Sequence, residues 1–273
     1  MGPCGAVRRL DGPLAYPCNH PQAEAGVRPI VLVVAGFDPS GGAGVLRDCA
    51  AIEQAGAQAV AAITSVTFQD GGRFDGYVAL PADVVMGQVE SATRLKPPAA
   101  VKVGMLGSRE NVDVIADFLA RTGLQAVVDP LFKASAGAPL IDDVGYGCLK
   151  ERLLPLATVL TPNVPEAERL LGRAITSVAA MGEAAVELCR LGPGWVVVKG
   201  GHMGGAMAVD CLADRHGNRV EVARPRLAGK VHGSGCIFSS TLAARLASGL
   251  LVEDAVRLAQ EAVASAIRWA GLA

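Results

Sequence analysis

Apolar and polar positions along this chain follow two periods in turn. Residues 30–35 form a continuous apolar run closed by Gly36, which predicts a strand buried on both faces. Val45, Cys49 and Ile52 then recur at helical spacing. The alternation repeats: a strand over 59–68, a helix over 84–95, a strand over 99–103, a helix over 111–121 and a strand over 126–128. Beyond these, the pattern predicts a helix over 144–153 and strands over 157–160 and 195–198. Residues 207–213 and 219–223 read as a hairpin around Arg215-His216-Gly217-Asn218 that extends the sheet. Phe238, Leu242 and Leu246 recur every four positions, so a helix begins near Gly235, and an amphipathic helix over 252–269 ends the pattern. The expected fold class is α/β, with a mostly parallel central sheet and helices on both faces.

Residues 30–273 read as a single domain, uninterrupted by repeats or low-complexity tracts. Residues 1–29 carry Gly, Pro and isolated charges without periodicity, as expected of a disordered extension without catalytic part, or of a start site placed too early.

Composition narrows the function. Half of the 273 residues are apolar but aromatics are only 4%, a core of Ala, Val and Leu suited to parallel strands under helices. The formal net charge is −1 and no dense Lys/Arg block occurs, which argues against nucleic acid as partner. Seven cysteines (Cys4, Cys18, Cys49, Cys148, Cys189, Cys211, Cys236) lie scattered without a C-x-x-C pair, pointing to free thiols in a reducing compartment. No apolar run is long enough for a membrane span, and the first residues lack a signal-peptide core. A cytoplasmic, soluble protein is expected.

Candidate chemistry gathers where strands end. In Lys230-Val231-His232-Gly233-Ser234-Gly235-Cys236, small residues make a tight turn into a helix. Free amides and the positive dipole end there suit a phosphate, and the same field is expected to lower the Cys236 pKa toward a thiolate that can act as a base. A plain loop and a small core cysteine fit the same residues. The loop 36–44 is glycine-rich but lacks G-x-G-x-x-G spacing, and no Walker loop occurs anywhere. Such a loop lets backbone approach a small ligand, with Asp38 or Asp48 available to bond to it, although Asp-Pro also simply starts turns. Gln69 leaves a strand where its amide can read a polar heterocycle or sit in solvent. Asp129 closes a buried strand at its carboxyl end, where it can help hold a metal. Asn163 and Glu166 flank a helix start as an amide and a carboxylate suited to magnesium, or as an ordinary cap. Lys199 ends a strand and can meet phosphate oxygens, with Gly200 and Gly201 leaving room for a nucleotide. Together these residues contain what phosphoryl transfer needs.

The stretches Ala35-Gly36-Phe37-Asp38-Pro39-Ser40-Gly41-Gly42-Ala43-Gly44, Val103-Gly104-Met105-Leu106-Gly107, Thr161-Pro162-Asn163-Val164-Pro165-Glu166-Ala167, Val198-Lys199-Gly200-Gly201-His202 and His232-Gly233-Ser234-Gly235-Cys236 resemble, in order, the hydroxymethylpyrimidine/phosphomethylpyrimidine kinases of thiamine biosynthesis, within the ribokinase-like superfamily. The resemblance implies two ATP-dependent phosphorylations, of 4-amino-5-hydroxymethyl-2-methylpyrimidine and then of its monophosphate, with Mg2+ as metal. It implies Cys236 as base, the amides of Gly233, Ser234, Gly235 and Cys236 as anion hole, and Gln69, Gly36 and Asp48 around the aminopyrimidine. It also implies Lys199, Asn163 and Gly201 at the nucleotide, Glu166 and Asp129 at the metal, and a possible homodimer. The chain departs from the family pattern at Ser234 (usually threonine), at Ser135 (usually lysine, with Lys133 out of register) and in stopping at Ala273 without a Gly- and His-containing tail. Two other functions fit the same residues: a pyridoxal or pyridoxine kinase, and a non-catalytic pyrimidine-binding module.

Overall fold

The computed structural model describes residues 7–9, 28–70, 72–134 and 137–271. Its strands are β1 (Val7–Arg9), β2 (Ile30–Phe37), β3 (Gln58–Gln69), β4 (Phe74–Ala79), β5 (Ala100–Val103), β6 (Gln125–Val128), β7 (Val159–Leu160), β8 (Trp195–Val198), β9 (Met207–Asp214) and β10 (Arg219–Pro225). They form one sheet in the order β1-β10-β9-β8-β7-β6-β5-β2-β3-β4. From β8 through β3 all neighbours are parallel. β9, β10 and β4 join by antiparallel pairing.

The apolar runs are continuous because both faces of the strands are covered. Leu32, Val34, Val101, Val103, Ala126, Val128, Leu160, Val196 and Val198 point into one core, packed by α2 (Ala82–Thr93), α3 (Arg109–Thr122), α4 (Asp143–Cys148), α5 (Val164–Leu171) and α6 (Val178–Cys189). The alternate residues Val31, Val33, Val127, Val159 and Val197 point into the other, covered by α1 (Gly44–Gln54), α7 (Ser234–Ala247) and α8 (Val252–Ala270). Strand order reverses at β2, which lies between β3 and β5. Open α/β sheets bind ligands at such a reversal, beyond the carboxyl ends of the strands.

The structure departs from the sequence pattern in four places. Val7–Arg9 is a strand parallel to β10, with Arg9 Nε 2.9 Å from Glu221 Oε2 and Arg8 paired to Glu253, so this part of 1–29 is not a featureless extension. Residues 1–6 and 10–27 lie outside the described residues. β4 was not expected, because Asp75 and Gly76 break its alternation; it pairs with β3 as an arm at the sheet edge. α6 was also missed, because its buried face is mostly small: Ala184 and Ala185 beside Met181 and Leu188. The helix over 144–153 is α4 followed by a wider π-helical turn, Leu149–Leu153.

Candidate active site

Two glycine turns interlock at the strand reversal. The loop after β2 is organised by Asp38, which is buried and accepts hydrogen bonds from Ser40 N (2.9 Å), Ser40 Oγ (2.8 Å) and Ala43 N (2.8 Å). Both carboxylate oxygens of Asp38 therefore build the turn. Gly233, at φ 76°, is the N-cap of α7, and a Cβ there would clash with the carbonyl of Gly42. A Cβ on Gly42 would in turn clash with the His232 ring, so the loops fit only as glycines. His232 Nε2 sits 3.4 Å from Asp38 Oδ2.

The start of α7 carries no side-chain cap. The amides of Ser234, Gly235 and Cys236 precede the first intrahelical bond, from Ile237 N to Gly233 O at 2.9 Å. They are donors without a helical acceptor, and the dipole end adds positive potential. Cys236 is the third residue of this turn, and the amide of Gly44, the first residue of α1, favours its thiolate. Two helix starts thus converge on one sulfur.

The expected depression of the Cys236 pKa is corrected by its surroundings. Burial pushes the thiol up to about 12, and the Asp48 carboxylate adds to the effect. The Lys102 ammonium pulls down, Asp129 pushes up and the Gly44 amide pulls down, without offsetting burial. Desolvation of a thiolate outweighs a helix end here.

Asp129, at the end of β6, is fully buried; its Oδ1 lies 2.7 Å from Lys199 Nζ and 3.2 Å from Thr161 Oγ1. Its other oxygen, Oδ2, is buried without a hydrogen-bond partner. Gly235 runs over this pair, since a Cβ there would lie 3.4 Å from Asp129 Oδ2 and 3.5 Å from Lys199 Nζ. Lys199 follows β8; burial works against its charge, but Asp129, Glu166 and Cys236 raise its pKa above the ordinary lysine value. The next residue, Gly200, packs tightly on β9 and donates to Asp210 Oδ1 at 2.8 Å, whereas Gly201 has open space where a Cβ would stand.

Asn163 and Glu166 make the reciprocal helix cap at the start of α5. Glu166 N donates to Asn163 Oδ1 at 2.9 Å and Asn163 N donates to Glu166 Oε2 at 2.7 Å. Glu166 is also only 4% exposed, unlike a surface cap. Burial raises its pKa to about 8; Lys199 opposes this and Asp129 reinforces it. Gln69, half-buried, closes β3 opposite Phe74. Gly36 sits under Met105, whose Sδ would lie 3.0 Å from a Cβ. Ser135 lies outside the described residues and Lys133 is exposed.

Asp48 is fully buried, and its carboxylate is bonded to Lys102 Nζ (2.7 Å) and Ser240 Oγ (2.8 Å). Its partner Lys102 was not anticipated, although a lysine inside the run Ala100-Val101-Lys102-Val103 was its signal.

Fold and site together define a small-molecule kinase of the ribokinase-like class. A family model described as phosphomethylpyrimidine kinase matches residues 38–272. The hydroxymethylpyrimidine/phosphomethylpyrimidine kinase of Streptomyces coelicolor is 39% identical over 241 residues, covering 88% of this chain and 88% of that protein. The chain belongs to the phosphomethylpyrimidine kinase family. Among solved structures, the phosphomethylpyrimidine kinase of Clostridium difficile 630 matches with a TM-score of 0.77 at 32% identity, over 88% of this chain and 100% of its own. The pyridoxal kinase of Staphylococcus aureus in complex with AMP-PCP and pyridoxal matches with a TM-score of 0.80 at 30% identity, over 89% of this chain and 88% of its own. Membership of a kinase family implies ATP as phosphoryl donor. Among the described residues no helix is long and apolar enough to cross a membrane.

Proposed function

We propose that the chain phosphorylates 4-amino-5-hydroxymethyl-2-methylpyrimidine with ATP, and then its monophosphate to the diphosphate. The observation that carries this reading is the uncapped start of α7, with Cys236 inside it, set against the Gly36 loop on one side and the Asp129–Lys199 pair on the other. A proton passes from the hydroxymethyl oxygen to the thiolate form of Cys236, a minor form because burial raises the thiol's pKa, as that oxygen bonds to the γ-phosphorus and the bond to ADP breaks. The amides of Ser234, Gly235 and Cys236 hold the transferring phosphoryl oxygens, as preorganised donors do. Lys199 meets the nucleotide phosphates, Gly201 gives them space, and Asn163 borders them through its backbone bridge to Lys199. Gln69 and the Gly36 backbone read the pyrimidine.

The donor set suits magnesium. Asp129 Oδ2 is an orphaned buried oxygen, and Glu166 is a second carboxylate within the field of Lys199. Among the described residues no group of three or more acidic, His or Cys side chains makes a full cage, which matches an ion held by one or two carboxylates and substrate phosphates. When bound, magnesium would neutralise charge on the phosphates.

Cys236→Ala separates catalysis from binding. Calorimetry should show the pyrimidine bound within about threefold of the parent affinity, while turnover falls by roughly 10²–10⁴. Undiminished turnover would remove Cys236 from the mechanism. A parent protein that binds the pyrimidine without turnover would instead be a binding module.

A further inference from the structure

Lys102 breaks the sheet's apolar pattern. In register it stands between Val33 of β2 and Val127 of β6, and Val159 of β7 continues the row. Val33, Val127 and Val159 are all core residues of the face under α1, α7 and α8, yet the fourth position is a lysine with no exposed surface. Burying an ammonium costs several kcal/mol unless it is paired and hydrogen-bonded. The phosphoryl transfer described above gives this residue no task.

Its position supplies one. Lys102 Nζ is 2.7 Å from Asp48 Oδ2, and Asp48 Oδ1 accepts from Ser240 Oγ at 2.8 Å. Ser240 is one helical turn beyond Cys236, so the pair lies against the α7 face that carries the sulfur. The ammonium also reaches the carboxyl end of its strand, 2.7 Å from where a Cβ on Gly104 would stand. Asp48, Cys236 and Asp129 all act on its charge. The charged groups around Cys236 are Asp48 from α1, Lys102 from β5, Asp129 from β6 and Lys199 from the end of β8. Lys199 is already bonded to Asp129, whereas Lys102 is the cation that favours the Cys236 thiolate.

We propose that Lys102 is a positioning residue for proton transfer at Cys236: held by Asp48, which is bonded to Ser240 on the Cys236 face of α7, its ammonium offsets the negative charge that Sγ must carry to act as a base. Asp48 opposes this effect on the sulfur and outweighs it; its presence follows from the lysine, which needs an anionic partner to be buried. The inference rests on the reading of Cys236 as the base, and it makes a claim about the thiol that holds without any kinase assay.

The test is the rate of iodoacetamide alkylation at Cys236, followed by peptide mass mapping between pH 7 and 10. Alkylation tracks the thiolate, so each unit of pKa shift is about tenfold in rate below the midpoint. Lys102→Met should slow Cys236 alkylation by about tenfold or more, and Asp48→Asn should speed it severalfold. The double variant should alkylate faster than Lys102→Met and slower than Asp48→Asn. Lost packing would move both single variants the same way, so changes in one direction, or a Lys102→Met rate within about twofold of the parent, overturn the proposal. If circular dichroism shows Lys102→Met unfolded, Asp48→Asn and the double variant decide: slower alkylation in Asp48→Asn overturns it. With ATP and the hydroxymethylpyrimidine, Lys102→Met should lower kcat by about 30-fold or more with KM within about threefold, and unchanged kcat also overturns it. No turnover by the parent protein would sink the kinase reading alone, leaving the alkylation rates to judge Lys102.

Discussion

At the scale of single residues, burial decides how each ionisable group behaves. Glu166 shows the consequence for stability. Its pKa rises from the ordinary 4.5 to about 8 because burial disfavours the carboxylate, so the folded chain binds more protons than the unfolded chain across that window. Its contribution to stability is therefore present below about pH 4.5 and is lost as pH rises through about 8. Glu166→Gln keeps a side chain able to complete the helix cap and removes the ionisation. The melting temperature of the variant minus that of the parent should grow from near zero at pH 5 to a maximum above pH 8; a difference independent of pH would contradict this. The residues that carry chemistry were legible where their neighbours are small and local, as in Gly233-Ser234-Gly235-Cys236. Environment was not. The Cys236 pKa and the burial of Asp48 are both tied to Lys102, which meets them only through sheet register and the packing of α1 and α7.

At the scale of elements, the site depends on two turns that fit only as glycine. Gly233→Ala forces a positive φ on alanine and drives its Cβ into the Gly42 carbonyl. Strain of this kind costs about 1–3 kcal/mol. A lower melting temperature and a kcat drop larger than the KM change are expected, because the amides of α7 move relative to the Gly36 loop. Gly201→Ala is the control: it has open space around it, so the melting temperature should hold within about 2 °C for a change that removes no contact, while KM for ATP rises. Equal thermal effects of the two would contradict the interlocked turns. Most elements were legible from periodicity because each parallel strand is a short apolar run with a helical pattern after it. β4 and α6 were not, since a half-exposed edge strand and an alanine-rich helix weaken the two signals that separate strand from helix.

At the scale of the whole molecule, a polar link carries the last helix to the candidate nucleotide loop. Gln260 of α8 donates to Asp210 Oδ2 at 2.7 Å and to the Val222 carbonyl at 3.0 Å, and Asp210 Oδ1 accepts from Gly200 N at 2.8 Å. Gln260→Leu leaves that carboxylate oxygen buried without its donor, at a cost of about 1–3 kcal/mol. Urea unfolding should show that loss, and KM for ATP should rise with it; unchanged values for both would show that the link carries neither stability nor loop geometry. The α/β architecture was legible from the chain's alternation, but the sheet order that brings Gly36, Asp129, Lys199 and Cys236 to one edge was not written in any single stretch. The account's central claim is tested most directly by turnover of the purified protein with ATP and magnesium, offering the hydroxymethylpyrimidine, its monophosphate and pyridoxal separately and resolving products by mass. The predicted result is the pyrimidine diphosphate formed by way of the monophosphate. Turnover of pyridoxal alone would contradict the substrate assignment, and monophosphate as the final product would confine the enzyme to the first step.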